Sequence, residues 1–401
     1  MNNLFSKFFT RSSLYQPFKR FVSNPSATLP PISKPVVGHW YLASGSLVFG
    51  IVVLGGLTRL TESGLSITEW NVIKGMKPPT SQEEWDSEFE KYKQFPEYKL
   101  LNRNMTLPEF KFIFFMEWAH RMWGRFIGLS FILPGAYFAY KGYMSPAIQK
   151  RSLVIGSLIG FQGLLGWLMV RSGLDPEIEE TNSHPRVSHY WLTAHLGSAF
   201  VIYSSMLVTG LEILKLHRTS LKPQQVIQKL NSVNSLPMTQ FKRAATATAG
   251  LVFLTALSGA MVAGLDAGLI YNEFPFMGLG LIPSDMWAFS TESPQNPDPL
   301  PWWRNLLENP SAVQFNHRVL AVSTATVIAG LGFYSRRLPL TPHSRLAMNV
   351  LLGVTCVQVG LGISTLLYFV PVPLAASHQA GSLTLLSAAL WLVHTLRRLP
   401  K

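Results

Sequence analysis

The 401-residue chain has one cysteine, Cys356. That excludes disulfides within the chain, cysteine-rich metal centres and any prosthetic group attached through a cysteine pair. The thiol lies in an apolar run, where it is expected to act as a small buried hydrophobe. Charge is also scarce: 14% of the side chains are Asp, Glu, Lys or Arg, against 48% hydrophobic. The charges fall between apolar stretches, which excludes an ordinary water-soluble fold and indicates a polytopic membrane protein. Acid is missing from the first 61 residues and from segments 141–151, 214–243, 335–345 and 397–401, all of which are basic. This asymmetry accounts for a sequence pI near 9.8, so the basicity carries no argument for nucleic acid.

Residues 1–33 contain Lys7, Arg11, Lys19, Arg20 and six serines with no acid, the profile of a mitochondrial presequence. A basic cytoplasmic tail of a bacterial membrane protein is the other reading. Eight later segments hold the roughly 20 apolar residues needed to cross a bilayer: 38–58, 112–140, 152–170, 190–213, 244–264, 312–334, 346–370 and 374–396. Lipid offers no partner to backbone amides, so such a chain is expected to be an all-α bundle. The four acid-free segments share one face and place both termini there, on the matrix side if the organelle is a mitochondrion. In loop 59–111, Ser81 with Glu84 and Thr106 with Glu109 predict capping boxes. The alternating charges of 83–93 predict a solvated helical hairpin, with a lid over a site as the alternative.

The chain repeats itself. Gly64-Leu65, Glu69-Trp70 and Pro79 return as Gly268-Leu269, Glu273-Phe274 and Pro283, a constant offset of 204. Gln162-Gly163-Leu164-Leu165-Gly166 returns as Gln358-Val359-Gly360-Leu361-Gly362, offset 196. With four spans per half, the halves have the same orientation. The expected architecture is eight transmembrane helices in two parallel-repeat four-helix bundles, 34–215 and 244–401, joined by a matrix linker 216–243.

His120, His195, His317 and His378 each fall in the first turns of an even-numbered span, at similar depth on the side opposite the termini. Ionisable groups inside spans are costly and tend to face function. Facing pairs, His120 with His195 and His317 with His378, would supply two axial imidazoles to each of two haem irons. The remaining histidines, including His394, read as interfacial or hydrogen-bonded residues. Glu117 precedes His120 by three residues, on the same helical face, where the second half has Gln314 before His317. It suits either proton acceptance beside a porphyrin edge or an ion pair with Arg121 four residues on. Arg121 and Arg318 suit haem propionates or snorkelling to the interface.

The runs Gly55-Gly56-Leu57-Thr58-Arg59, Ser63-Gly64-Leu65-Ser66, Trp70 and Pro78-Pro79, Glu117-Trp118-Ala119-His120-Arg121, His195-Leu196-Gly197, Phe315-Asn316-His317-Arg318 and His378-Gln379 resemble the haem A synthase family, in its mitochondrial branch. The resemblance covers nearly the whole chain after residue 33. It implies an oxidoreductase of the mitochondrial inner membrane that oxidises a methyl group of haem O to the formyl of haem A for cytochrome c oxidase. On that resemblance His120 and His195 hold the substrate haem with Glu117 as catalytic carboxylate, and His317 and His378 hold haem b as electron relay. Haem O synthase and a matrix ferredoxin with its reductase are the implied partners, alongside the lipid bilayer. The cysteine pairs of some bacterial relatives are missing here, so no disulfide role carries over. Two other functions are compatible with the pattern: a di-haem b-type cytochrome acting with a quinone, and a haem or small-molecule transporter. The lack of matched, proline-broken spans weighs against the transporter.

Overall fold

A computed structural model of the chain describes residues 32–71, 73–180, 184–220, 236–294 and 296–397. All but the last two residues of the expected presequence, and Lys222, Lys229, Arg398 and Lys401 of the basic segments, lie outside the described residues. Eight long helices dominate: α1 Pro35–Leu60, α2 Leu107–Tyr140, α3 Pro146–Gly173, α4 His189–Ser220, α5 Leu236–Gly264, α6 Pro310–Ser335, α7 Pro342–Leu367 and α8 Val372–Leu396. Among the described residues there is no strand, only two isolated bridges. Proline in the first turn starts α1, α2, α3, α6, α7 and α8, where its missing N–H costs nothing. Asn309 and Thr341 cap α6 and α7 by accepting from Ser311 N and Ser344 N.

The helices coincide with the eight apolar segments but begin up to eight residues earlier, because caps and prolines rather than hydropathy set their ends. The seventh stops at Leu367, not at 370: Phe369 and Val370 take positive φ angles of 61° and 57° in the turn into α8. Six helices, α1 and α3 to α7, are long and apolar enough to cross a membrane. The other two, α2 and α8, carry Glu117-His120-Arg121-Arg125 and Ser377-His378-Gln379, polar residues that lower their hydropathy. Leu129, Ile132 and Leu133 of α2 and Val357 of α7 are more than half exposed, an outer face suited to lipid. Cys356 is exposed on α7 rather than buried, because α7 lies at the periphery with most of its apolar surface facing out.

Helices α1 to α4 close a ring in which α1 touches α2 and α4 while α3 touches α2 and α4; helices α5 to α8 close a second ring in the same order. The rings meet through α1 with α8, α4 with α5, and α4 with α8. Inside the first ring Gly38 and Gly210 bring α1 and α4 together: a Cβ on Gly210 would lie 2.9 Å from the Gly38 carbonyl oxygen.

At the end where α2 begins, both capping boxes form. The helix Gln82–Tyr92 does not stand free in solvent. Its Trp85, Phe89 and Tyr92 pack on Phe110, Ile113 and Phe114, so α2 extends beyond the bundle to carry it. At the opposite end Glu212, 1% exposed on α4, pairs with Arg151 of α3 at 2.7 Å and with Arg397 beyond α8. Lys215 Nζ donates to the carbonyls of His394 and Arg397, capping α8. His394 itself is buried at 8% exposure, not interfacial as its position near the chain end predicts.

The contact between α1 and α8 contains one specific interaction. Gln379 Nε2 donates to Val52 O at 2.9 Å, and its amide lies over Gly56, where any Cβ would collide with it. The repeat-related positions hold Ala260 and Leu196. Gly56→Ala is therefore expected to lower stability by about 1–3 kcal/mol through overpacking, read as a lower thermal midpoint in detergent. Adding Gln379→Leu, which copies the repeat-related pair, is expected to recover most of that loss.

Candidate functional site

Each of the four histidines faces a glycine on the neighbouring helix. A Cβ on Gly55 of α1 would lie 3.0 Å from the His120 ring, and one on Gly166 of α3 3.3 Å from His195. In the second ring the distances are 3.1 Å from Gly259 of α5 to His317 and 2.8 Å from Gly362 of α7 to His378. Gly55 and Gly259 are repeat-related, as are Gly166 and Gly362. The imidazoles are half-buried, turned neither fully into the core nor out to the surface.

The structure brings His120 and His195 together, with ring centres 6.4 Å apart and planes at 59°. Two imidazoles on opposite sides of one iron, each nitrogen about 2 Å from it, require ring centres about 6 Å apart, so this pair fits an iron between them. Supporting bonds recur in both halves. Gln162 Nε2 donates to His195 O at 2.7 Å, and Gln358 Nε2 to His378 O at 2.9 Å. Nδ1 of His195 and of His378 is buried without a hydrogen-bond partner among the described residues, as suits rings whose polar atoms serve a ligand. His317 differs, because its Nδ1 is paired with Ser258 Oγ at 2.8 Å. That fixes the ring and leaves Nε2 available to a metal. Imidazole donors, glycine cradles and unpartnered ring nitrogens together fit a haem in each half.

Glu117 is 3% exposed and is fully hydrogen-bonded. Its Oε1 accepts from Arg121 at 2.5 and 3.0 Å, while its Oε2 accepts from Ser66 Oγ and Ile67 N, both at 2.8 Å. The ion pair that its spacing predicts is thus present. Arg121 also donates to Ile67 O and Glu69 O and stacks on Trp70, clamping the chain that follows α1 over the histidine pair. In the second half Gln314 and Arg318 both donate to Tyr271 O, at 2.9 Å each, and Arg318 donates to Phe276 O. The two arginines hold equivalent loops, but only the first half has a carboxylate beneath its arginine.

A second buried carboxyl near Glu117 gave no signal in the sequence, where Glu97 sits in an ordinary run of mixed charge. It is 4% exposed in the extramembrane loop and accepts from the Tyr92 hydroxyl at 2.9 Å. Burial pushes its pKa up to about 8; the Tyr92 bond opposes this, and the charges of Glu117 and Glu62 add to the rise. Gly166 and Gly362, with Gln162 and Gln358, were visible in the sequence as a repeated motif, whereas the pairing of Gly55 with Gly259 was not. Nor was it visible that these residues pack against the histidines.

The chain is similar to known proteins over most of its length. Residues 38–390 match the family model of the COX15-CtaA cytochrome oxidase assembly protein. Among curated proteins, heme A synthase COX15 of Bos taurus is 53% identical over 388 residues, covering 96% of this chain and 87% of the relative. The Saccharomyces cerevisiae protein of the same name is 46% identical, covering 96% and 80%. A heme A synthase–mitochondrial ferredoxin fusion protein of Schizosaccharomyces pombe is 46% identical over 403 residues, covering 97% of this chain and 65% of its own length. With a family model spanning most of its length and relatives of this identity, the chain belongs to the COX15-CtaA family of cytochrome oxidase assembly proteins.

Proposed function

We propose that the chain is a multi-pass enzyme of the mitochondrial inner membrane that oxidises haem O to haem A. On this reading all eight long helices cross the bilayer as two parallel four-helix repeats, 34–215 and 244–401, joined by the matrix linker 216–243. Both termini lie in the matrix and the histidines lie toward the other side. Support comes from the names of the relatives, the matching order of contacts in the two rings and the acid-free segments. The single observation that carries the functional reading is the asymmetry at Glu117 and Gln314: two equivalent histidine pairs, one with a buried carboxylate and one without.

His120 and His195 would hold the substrate haem, and His317 and His378 a resident haem b, which would supply an electron relay close to the substrate half. A resident cofactor benefits from an oriented ligand such as His317 on Ser258. The repeat-related residue beside Gly55 is Leu54, which offers His120 no such bond, as suits a haem that must leave. Breaking the C–H bonds of a methyl carbon calls for a group at the site that can accept a proton. Glu117 is placed to take one up, because Arg121 keeps its bonds to Ile67 O and Glu69 O when the carboxylate is neutralised. The Ser66 and Ile67 donors hold that carboxylate in position.

Three outcomes test this reading. Glu117→Gln is expected to keep both haems and stall oxidation, lowering haem A yield by about 100-fold or more. Haem extracted from the purified variant and separated by chromatography checks this, and wild-type haem A yield would remove Glu117 from catalysis. His317→Ala is expected to lose haem b and turnover while the first pair still fills. Haem b retained in that variant would refute the ligand assignment, and a wild-type protein holding haem b alone, in cells that make haem O, would favour an electron-transfer cytochrome. The Schizosaccharomyces pombe fusion suggests a matrix ferredoxin, with its reductase, as electron donor, attracted by the basic face. Arg218→Glu with Lys222→Glu is expected to slow ferredoxin-supported turnover several-fold at low salt and little at high salt. Lys215 is not used in this test because it caps α8.

A further inference from the structure

A partly open cavity of about 390 Å³ lies at the end of the first ring, next to the His120–His195 pair. Trp70, Arg121, Trp167 and Arg171 line it, together with the acids Glu69 and Asp175. Trp70 and Arg121 connect the cavity to the histidines. A Cβ on Gly166 would lie 3.3 Å from His195 and 3.6 Å from Trp70, and Arg121 follows His120 in the chain. Two guanidinium–indole stacks form its walls, Arg121 at 4.8 Å from the Trp70 ring centre and Arg171 at 5.5 Å from that of Trp167.

The two arginines are not in the same state. Arg121 is engaged by Glu117 and by two backbone carbonyls. Arg171 is exposed and has no hydrogen bond or ion pair with any described residue, even though Asp175 lies four residues on. The acids are otherwise occupied: Glu69 pairs with Lys91 at 3.2 Å and accepts from Asn71, and Asp175 accepts from Glu177 N. In the second ring the positions equivalent to Trp167 and Arg171 hold Ile363 and Leu367. The stack on Trp167 therefore belongs to one half only, and to the half with the carboxylate. A guanidinium held over an indole at 5.5 Å, without a hydrogen bond to any described residue and near the histidine pair, is suited to a carboxylate at the edge of a planar ligand.

We propose that this cavity receives the propionate edge of haem O, and that Arg171 is a substrate-binding residue pairing with a propionate carboxylate. The assignment rests on the reading that the first histidine pair holds the substrate. The full chain, purified in detergent with its second haem site filled, is titrated with haem O and with haem O dimethyl ester, and binding is followed by absorbance. The wild-type chain is expected to bind the free acid about tenfold or more tighter than the ester. Arg171→Leu, which copies the second half, is expected to reduce that preference to about twofold or less, and Arg171→Lys to keep an intermediate preference. Haem b content unchanged from wild type shows that the variants are folded. An Arg171→Leu chain that prefers the free acid as strongly as wild type, while His120→Ala abolishes binding, overturns the role of Arg171 and leaves the substrate site standing. A His120→Ala chain that binds haem O with wild-type affinity overturns the placement of the substrate, and the Arg171 assignment with it.

Discussion

An imidazole can lie against the backbone of a neighbouring helix only where that helix has no side chain, and this constraint is met four times. Gly55, Gly166, Gly259 and Gly362 each leave the space that a histidine ring occupies. Glycine within a helix costs up to about 1 kcal/mol relative to alanine, so each is a departure from the most stable helix. The return is a polar ring held at fixed depth between helices whose other contacts are apolar. The remaining features follow from that placement. Gln162 and Gln358 bond the carbonyls of His195 and His378, tying the histidine-bearing helices to the helices that bear the glycines. The ends of α1 and α5 turn through Glu62 and Asp266, both at positive φ and 204 residues apart, and lead into loops that Arg121 and Arg318 fasten down.

On that shared frame the halves differ in several residues that lie around the histidines and the open end of the first ring. Glu117 stands against Gln314, Arg171 against Leu367, Trp167 against Ile363 and Leu54 against Ser258. Each change makes the first half more polar at its open end or leaves its histidine less tethered. The contact between the rings is also asymmetric, with Gln379 over Gly56 on one side and the apolar pair Leu196 and Ala260 at the repeat-related positions. Because α1 carries both Gly55 and Gly56, one segment of helix backs the His120 ring and receives the amide that follows His378.

Much of this was legible in the sequence, for physical reasons. Apolar runs of the required length mark the helices, and constant offsets mark the repeat. Histidines inside such runs stand out because a bilayer tolerates few ionisable groups. What was not legible depends on the third dimension. Glu212 lies inside an apolar run and shows nothing of its partners Arg151, some 60 residues away, and Arg397 at the far end of the chain. Residues 83–93 read as a solvated surface helix because their charges are regular, while Trp85, Phe89 and Tyr92 on the other face were free to pack on an extended α2. Arg171 carries no signal in the sequence, because its place over Trp167 is a fact of geometry.

The arginines also bear on how one frame would serve the two haems of the proposed reading. A guanidinium has five N–H donors, and each one given to a loop carbonyl is unavailable to a ligand. Arg121 and Arg318 each give two of theirs to loop carbonyls, those of Ile67, Glu69, Tyr271 and Phe276, so in both halves the repeated arginine helps close the loop over the histidines. Residues outside the repeated set are then the ones that distinguish the halves. Such residues can change in one half without loosening the loop, the histidines or the glycines. This is where the unpaired Arg171 and the buried Glu117 lie, one at the open edge of the first site and one beneath its clamp. On the proposed reading, substrate selection and proton acceptance belong to the first half, and the second keeps the plain arrangement that suits a bound cofactor.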